Sequence, residues 1–157
     1  YLYMKKVILL GDKNVGKTMF VRCLRKEMTK IVPTIGVDCF KYNNIQIWDT
    51  SGDSRFKRII NVFFKDMDAF IILYRNEDQL NAIKDYTFEN VILIYNGTDI
   101  LNSTLGADYA LQRKWSFFEC NVNNVNENKW TWNRISEILH RHPHVKIEKA
   151  WRYCWFY

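Results

Sequence analysis

This chain lacks the features that would direct it into or across a membrane. No apolar run approaches the roughly 18 residues that a membrane-spanning helix requires. The opening residues 1–6 are too few, and too strand-like, to form a secretory signal. No C-x-x-C pair or metal-type cluster occurs among the four cysteines, Cys23, Cys39, Cys120 and Cys154. We therefore predict a cytoplasmic, reduced protein, with the cytosolic face of a membrane as a second location.

A run of five or more basic residues is also missing, although the formal net charge is +6 at pH 7. The basic side chains are instead scattered along the chain. A nucleic-acid surface usually concentrates positive charge on one face or one segment. The composition thus favours a solvated basic surface with one phosphate site, and we predict no nucleic-acid partner.

The chain has no internal repeat, low-complexity tract or linker at which a domain boundary could be placed. Its 157 residues match the size of one domain, since domains usually contain about 100–200 residues. Hydrophobic residues make up 48% and charged residues 25%, which is typical of globular rather than disordered proteins. We predict a single domain over residues 1–157, in which residues from about 143 to 157 form a C-terminal tail.

Short apolar runs predict the strands of the fold. Continuous apolar runs such as 69–74 and 91–95 are expected where a strand is covered on both faces. The pair Asn43-Asn44 tolerates positive φ and suits a tight hairpin turn between its two flanking strands. The predicted strands are residues 7–10, 39–42, 45–48, 69–74, 91–95 and 115–120.

Segments with helical spacing of apolar residues lie between these strands. They cover about 17–26, 59–65, 78–86, 105–113 and 127–140. Strands that alternate with helices predict an α/β fold, a mostly parallel six-stranded sheet with helices on both faces. Ligands of such folds bind at the carboxyl ends of the strands.

The segment GDKNVGKT, residues 11–18, fits the phosphate-loop pattern G-x-x-x-x-G-K-[ST] at every defined position. Its glycines allow the backbone N–H groups to wrap an anion, and the following helix directs its positive end at the same phosphates. Lys17 supplies a point charge, and the Thr18 hydroxyl can ligate Mg²⁺. A glycine turn with an incidental lysine is the alternative, which the preceding strand and following helix disfavour.

Two later segments resemble the motifs of one protein family. They are VPTIGVD at 32–38 and IWDTSGDSRF at 47–56. The sequence here resembles the Rab-type small GTPases of the Ras superfamily, which carry T-I-G-V-D in the first switch and W-D-T-A-G-Q-E-R-F in the second. The resemblance implies a Ras-like P-loop NTPase fold with Mg²⁺ and GTP or GDP as cofactors. Without the phosphate loop, Asp49 would be interpreted as a strand-end turn residue and Thr34 as a loop hydroxyl.

The base site is implied by the segment NGTD, residues 96–99, which stands where the family has N-K-x-D. By resemblance, Asp99 accepts hydrogen bonds from the ring N–H and the exocyclic amine of guanine. Gly97 replaces the family's lysine, whose stem packs on the base, so we expect nucleotide affinity to be weaker by about 1–2 kcal/mol. The segment 117–123 is a drifted form of the family's F-F-E-T-S-A-K, in which the Val122 N–H is expected to donate to the guanine carbonyl.

The resemblance assigns a role to each predicted site residue. Thr34 completes the Mg²⁺ shell and senses the γ-phosphate, the Gly52 N–H contacts that phosphate, and Asp49 holds the metal through water. The predicted metal ligands are thus Thr18, Thr34 and Asp49, and the predicted catalytic residues are Lys17, Thr34 and Asp53. The predicted nucleotide-binding residues are Lys13, Asn14, Val15, Gly16, Lys17, Thr18, Met19, Thr34, Gly52, Asn96, Asp99, Val122 and Asn123.

Asp53 stands where the family places the glutamine that orients the attacking water. A carboxylate cannot supply both the donor and the acceptor of an amide, and its charge would face the γ-phosphate. Lys13 occupies a loop position that is usually small, where its side chain would crowd an incoming arginine finger. We expect slow hydrolysis and poor stimulation by GTPase-activating proteins. The alternative is that Asp53 acts as the base for water.

The switch regions, Thr34 to Phe40 and Trp48 to Phe64, are expected to bind effectors, exchange factors and GTPase-activating proteins, with the chain itself a monomer. Trp48, Phe63 and Phe64 stand where the Rab branch keeps its effector-facing aromatics, although ordinary helix packing explains the two phenylalanines equally well. The family's phenylalanine after G-V-D is replaced by Cys39. Phe40 follows one residue later, which turns its ring to the other face of the strand unless a bulge intervenes.

The C-terminus offers a weak lipidation signal, because Cys154 lies four residues from the end but is followed by two aromatics and a terminal tyrosine. Basic and tryptophan side chains in the tail could instead contact a membrane surface, or the tail could pack on the domain. Three functions remain open at this point: a slow GTPase switch in membrane traffic, a GTP-bound scaffold or decoy for Rab partners, and a kinase or other NTPase. The 49–52 motif and Asp99 disfavour the third.

Overall fold

The structure, a computed structural model, describes residues 4–25 and 34–141. The strands are β1 Lys5–Leu10, β2 Val37–Tyr42, β3 Ile45–Thr50, β4 Ala69–Tyr74, β5 Val91–Tyr95 and β6 Ser116–Glu119. The helices are α1 Lys17–Arg22, α2 Lys57–Asn61, α3 Glu77–Asn81, α4 Ile100–Arg113 and α5 Val125–Arg141. Two 3₁₀ turns, Ser54–Phe56 and Phe64–Asp66, flank α2.

The six strands form one sheet in the order β2-β3-β1-β4-β5-β6. Only β2 runs antiparallel to its neighbour in this sheet, and the other four strand pairs are parallel. The predicted fold class is confirmed. From β1 the chain crosses to the β2–β3 side of the sheet, and from β3 it crosses past β1 to β4, so the direction of the connections reverses at the carboxyl end of β1. That position is where ligands bind in folds of this kind.

Two apolar cores cover the two faces of the sheet. One contains Phe20 of α1 and Trp132 of α5, whose rings meet edge to face with centroids 5.7 Å apart. The other contains buried residues of α3 and α4 and the aromatic residues Tyr74, Tyr95 and Trp115. Alternate residues of the central strands point into one core or the other, so these strands are apolar throughout.

The hairpin and the central strands follow the sequence prediction closely. β4 and β5 have the predicted bounds, and both Asn43 and Asn44 adopt positive φ, at 44° and 63°. The helix predicted over about 59–65 is wrong in extent, because α2 ends at Asn61 and the chain continues into the second 3₁₀ turn. The helix predicted over about 17–26 is regular only to Arg22, and residue 26 lies outside the described residues.

Boundaries of four further elements differ from the prediction. α3 ends at Asn81 rather than near residue 86, and the Arg113 guanidinium donates to the main-chain carbonyls of Lys84 and Tyr86 in the segment that follows. α4 begins at Ile100 instead of about 105, because Asp99 caps its first turn. β6 and α5 differ from the prediction by one or two residues at each end, as is usual for element boundaries.

Candidate nucleotide-binding site

The phosphate loop connects β1 to α1 and depends on three residues with positive φ. These are Gly11 at 135°, Asn14 at 63° and Gly16 at 104°. A Cβ at Gly11 would overlap the Leu73 carbonyl oxygen, and a Cβ at Gly16 would lie 2.8 Å from the Asn96 side-chain nitrogen. Both glycines are therefore required by backbone conformation and by space. The loop curls closely against β4 and the segment after β5.

Lys17 extends beneath this loop and is only 5% exposed. Its Nζ donates to the carbonyl oxygens of Gly11 and Asp12, at 2.8 Å and 2.7 Å. Burial lowers the pKa of Lys17 to about 8, and the nearby Asp49 and Asp12 carboxylates oppose that effect. An ammonium that has lost most of its water gains strongly from a polyphosphate, because charge attraction grows as the local dielectric falls.

The three predicted metal ligands converge beside Lys17. The Thr18 hydroxyl donates to Asp49 Oδ2 at 2.7 Å, and the Thr34 hydroxyl lies 3.3 Å from the same oxygen. The two hydroxyl oxygens are 3.0 Å apart. The chain thus brings residues from α1, β3 and the segment before β2 to one point.

Asp49 is 0% exposed, and its Oδ1 is buried without a hydrogen-bond partner. Burial raises the pKa of this carboxyl group, while the Thr18 hydrogen bond and the Lys17 charge lower it. A buried polar atom without a partner costs free energy, and a cation with its water shell would satisfy it. Hydroxyl and carboxylate oxygens are ligands that Mg²⁺ prefers, together with water and substrate phosphates, so this donor set fits Mg²⁺.

Within the part of the chain that the structure describes, no group of three or more His, Cys, Asp or Glu residues could hold a metal ion. A metal here would therefore depend on the two hydroxyl groups, on the single carboxylate of Asp49 and on oxygens supplied by a ligand.

An open cleft of about 620 Å³ runs along the phosphate loop. Its lining includes most of the residues predicted for phosphate and metal binding: Lys13, Asn14, Gly16, Lys17, Thr18, Met19, Thr34, Gly52 and Asp53. The prediction missed five other lining residues, Ile35, Thr50, Ser51, Arg55 and Phe56. Of these, Arg55 had a recognisable signal, because an opposite charge stands two residues before it in Asp53-Ser54-Arg55.

The base loop, defined as residues 96–99, is tied to the phosphate loop by one side chain. Asn96 Nδ2 donates to the Val15 carbonyl at 2.8 Å, and Asn96 Oδ1 accepts from the Val122 N–H at 3.2 Å. The Val122 N–H is therefore already engaged, and its predicted donation to guanine would require this bond to be exchanged or shared. Asn123 is exposed, and its N–H donates to Asn121 Oδ1 at 3.1 Å.

We expect Asn96→Ala to lower the free energy of unfolding by about 2–3 kcal/mol, because it leaves the Val15 carbonyl and the Val122 N–H buried without their partner. Chemical denaturation measures this change. Asn133→Ala on the exposed face of α5 is the matched control. Equal stability of the two variants would show that the hydrogen bonds of Asn96 contribute nothing to the free energy of unfolding.

Asp99 lies at the start of α4 and is exposed. Its Oδ1 accepts from the Asn102 N–H at 2.9 Å, and its own N–H donates to the Tyr95 hydroxyl at 2.9 Å. Capping of a helix by an aspartate is common. Here it also holds the carboxylate just beyond the carboxyl end of β5, as expected for a group that contacts a base.

Asp53 does not extend freely into the cleft. Its carboxylate accepts three hydrogen bonds from the Arg55 guanidinium, Nη2 to Oδ2 at 2.7 Å and Nε to Oδ1 and Oδ2 at 3.0 Å and 3.1 Å. The Arg55 N–H also donates to Oδ1, at 3.0 Å. These side-chain and backbone bonds from Arg55 hold the pKa of Asp53 well below its usual range, and Lys13 adds to the effect. Asp53 is therefore an ionised carboxylate that its own neighbour neutralises.

The aromatics of the second switch divide into two groups. Phe63 packs on Trp48, with ring centroids 4.9 Å apart, whereas Phe64 contacts Phe70 and Phe88 edge to face. Phe64 thus belongs to the apolar packing at the amino end of β4. Phe63 and Trp48 are half-buried as well and pack against the same core, within the surface predicted to bind partners.

The register of β2 shows which face of the sheet carries the Phe40 ring. Every residue from Val37 to Tyr42 pairs in regular order with β3, without a bulge. Cys39 is exposed and lies opposite Trp48, so the two side chains share a face. Phe40 packs on the other face, where the Arg25 guanidinium lies 4.3 Å from its ring centroid. The predicted shift of the ring to the other face is confirmed.

No helix among residues 4–25 and 34–141 is long and apolar enough to cross a membrane. The tail predicted over about 143–157, and Cys154 with it, lies outside the described residues.

Comparisons with known proteins agree with the fold and the phosphate loop described above. A family profile described as "Ras of Complex, Roc, domain of DAPkinase" matches residues 6–101. The chain is 30% identical to Ras-related protein Rab-3A of Homo sapiens, over 87% of this chain and 74% of that protein. It is 30% identical to Ras-related protein Rab-3C of Bos taurus, over 87% and 72%. Identity to Ras-related protein Rab-3 of Caenorhabditis elegans is 29%, over 87% and 74%.

Proposed function

The chain belongs to the Rab-type small GTPases of the Ras superfamily, and we propose that it is a guanine-nucleotide switch that hydrolyses GTP slowly. One observation carries the proposal. A buried ammonium, two hydroxyls and a carboxylate oxygen without a partner meet beside the phosphate loop. This set complements a metal-bound polyphosphate, and few other ligands would need all of its members.

Each residue of the site has one task in this proposal. The N–H groups of residues 13–18 and the Lys17 ammonium bind the phosphates, and Asp99 selects guanine through its carboxylate. The hydroxyls of Thr18 and Thr34 would hold Mg²⁺ directly, and Asp49 would hold it through water. When bound, Mg²⁺ would neutralise charge on the β- and γ-phosphate oxygens.

Thr34 and Gly52 would report whether the γ-phosphate is present. Thr34 precedes β2 and Gly52 follows β3, so both lie at the ends of an antiparallel hairpin. Loss of the γ-phosphate would remove the contacts of both residues and release their segments. The switch regions, 34–40 and 48–64, would therefore present different surfaces to effectors, exchange factors and GTPase-activating proteins in the two states.

Slow hydrolysis is supported by the Asp53–Arg55 pair. A carboxylate whose pKa is depressed is a poor base, so the alternative in which Asp53 activates water is disfavoured. The pair also occupies both oxygens of Asp53, and a carboxylate has no donor with which to orient a water molecule.

We expect Asp53→Gln to increase the single-turnover rate of GTP hydrolysis by about tenfold, which corresponds to about 1.4 kcal/mol of transition-state stabilisation. Asp108→Gln on the exposed side of α4 makes the same charge change away from the cleft and should leave the rate unchanged. Nucleotide extraction and a hydrolysis time course provide the measurement. An unchanged rate in Asp53→Gln would show that residue 53 does not limit hydrolysis.

A second function is favoured by the same pair. If hydrolysis is negligible rather than slow, the protein would remain GTP-bound and act as a scaffold or decoy for Rab partners. The nucleotide that co-purifies distinguishes the two: GDP supports the switch, and GTP supports the scaffold. An adenine nucleotide would contradict both.

The wider assignment follows from membership of the family. We propose one domain over residues 1–157, a monomer that acts in membrane traffic from the cytoplasm and the cytosolic face of membranes. Its partners would be proteins that bind the switch regions, and nucleic acid would not be among them. Mass spectrometry of protein made in a eukaryotic host tests lipidation at Cys154, and an unmodified C-terminus would exclude it.

A further inference from the structure

The base loop rests on an aromatic ring to which the sequence analysis assigned no role. Tyr95 is the last residue of β5 and is 2% exposed. Its hydroxyl accepts a hydrogen bond from the Asp99 N–H at 2.9 Å. The ring thus lies below the loop, and its polar atom holds the main chain of the residue that would select guanine.

Gly97 is explained by this ring. Positive φ is confined among the described glycines to Gly11, Gly16 and Gly36, so Gly97 is not required by its backbone conformation. A Cβ at position 97 would overlap the Tyr95 hydroxyl oxygen and lie 2.6 Å from Tyr95 Cζ. The space that a side chain at 97 would need is already filled.

The Tyr95 ring has little freedom to give way. It packs on Tyr74, with centroids 5.3 Å apart, and Tyr74 is itself 1% exposed. The Tyr74 hydroxyl donates to the Asn102 carbonyl at 2.8 Å. A Cβ at Gly106 of α4 would overlap that hydroxyl. The two tyrosines therefore form one buried layer beneath residues 96–102, and both glycines leave room for it.

We propose that Tyr95 is a positioning residue for guanine recognition, which holds Asp99 through its N–H and supports the base loop from below in place of a side chain at 97. The inference rests on the proposed function, because it concerns the same base site. The inference also predicts an effect that the absence of the family's lysine at position 97 does not predict. A lysine placed at 97 should weaken guanine-nucleotide binding as long as Tyr95 is present.

The first test removes only the hydroxyl. Tyr95→Phe should lower the preference for GDP over IDP by about three- to tenfold, the effect of one misplaced hydrogen bond. IDP lacks the exocyclic amine that Asp99 would accept from, so this ratio reports the carboxylate's position rather than overall stability. Tyr109→Phe is the matched control, since that hydroxyl lies on the same face of the sheet but donates to the Ile83 carbonyl. An unchanged ratio in Tyr95→Phe would overturn the proposal.

The second test uses the coupling between positions 95 and 97. Gly97→Lys should weaken GDP binding by about tenfold or more, whereas Tyr95→Ala with Gly97→Lys should bind more tightly than either single variant. Tighter GDP binding by Gly97→Lys alone would contradict the inference. Additive effects in the double variant would contradict it equally.

A measurement without nucleotide separates this inference from the proposed function. In the free protein, exchange of the Asp99 amide proton followed by NMR should be faster in Tyr95→Phe than in the unaltered chain. If that exchange is faster but no guanine nucleotide binds to the unaltered chain, the proposed function fails and the positioning contact stands. If nucleotide binds but neither the exchange nor the GDP-to-IDP ratio changes, only the inference fails.

Discussion

Lys17→Met is expected to weaken binding of both GDP and GTP by on the order of 10²–10³-fold, because each charge-assisted hydrogen bond contributes about 1.5–3 kcal/mol and Lys17 is the one buried cation among the described residues. Methionine keeps most of the apolar stem, so the loss of nucleotide affinity reports the removal of the charge. Isothermal titration in the presence of Mg²⁺ measures the affinities.

The matched control is Lys129→Ala, which removes one positive charge from the exposed surface of α5. It should change affinity by less than about twofold, since exposed charges at a distance are screened by salt. A Lys17→Met protein with nearly normal affinity would mean that the loop binds no phosphate, and the proposed function would fail with it.

Gly52→Ala is expected to separate the second switch from the phosphate loop. A Cβ at position 52 would overlap the Asp12 carbonyl carbon and the Lys13 nitrogen, which are main-chain atoms and cannot rotate away. We expect the free energy of unfolding of the nucleotide-free protein to fall by about 3 kcal/mol, the upper part of the range for overpacking. We also expect the ratio of GTP to GDP affinity to fall toward one, because the N–H at 52 can no longer approach the γ-phosphate.

Gly36→Ala provides the comparison for this variant. It adds the same methyl group, but the added Cβ would meet nothing within 4 Å and only the φ of 74° is unfavourable. A loss of about 1–2 kcal/mol is expected there from backbone conformation. Denaturant unfolding of both variants tests the difference, and equal losses would show that contact with the phosphate loop does not constrain position 52.

The residues that converge at the candidate site could be predicted because they occur in local motifs. The phosphate loop, Asp49 and Asp99 occur in short patterns at or just after the end of a strand that was visible as an apolar run, and Thr34 occurs in a short pattern of its own. The bounds of β4 and β5 were predicted to the residue, since continuous apolar runs end where the sheet ends. The sequence pattern was thus sufficient for the positions of the strands along the chain and for the residue types at their carboxyl ends.

Contacts between distant segments were not predictable in this way. The segment that follows α3 is held by Arg113, which lies about thirty residues further along the chain and donates to the main-chain carbonyls of Lys84 and Tyr86. The division between Phe63 and Phe64 depends on which neighbours surround each ring. The role of Tyr95 likewise depends on space above its hydroxyl, which composition and periodicity do not report.

The regular pairing of β2 with β3 has a consequence for recognition. Beside the Trp48 indole the strand carries the small thiol of Cys39, because the neighbouring phenyl group is on the reverse side of the sheet. A partner whose surface fits a large ring at position 39 would meet only the Cys39 thiol there. We therefore expect a partner of this surface to place a bulky side chain of its own beside Trp48.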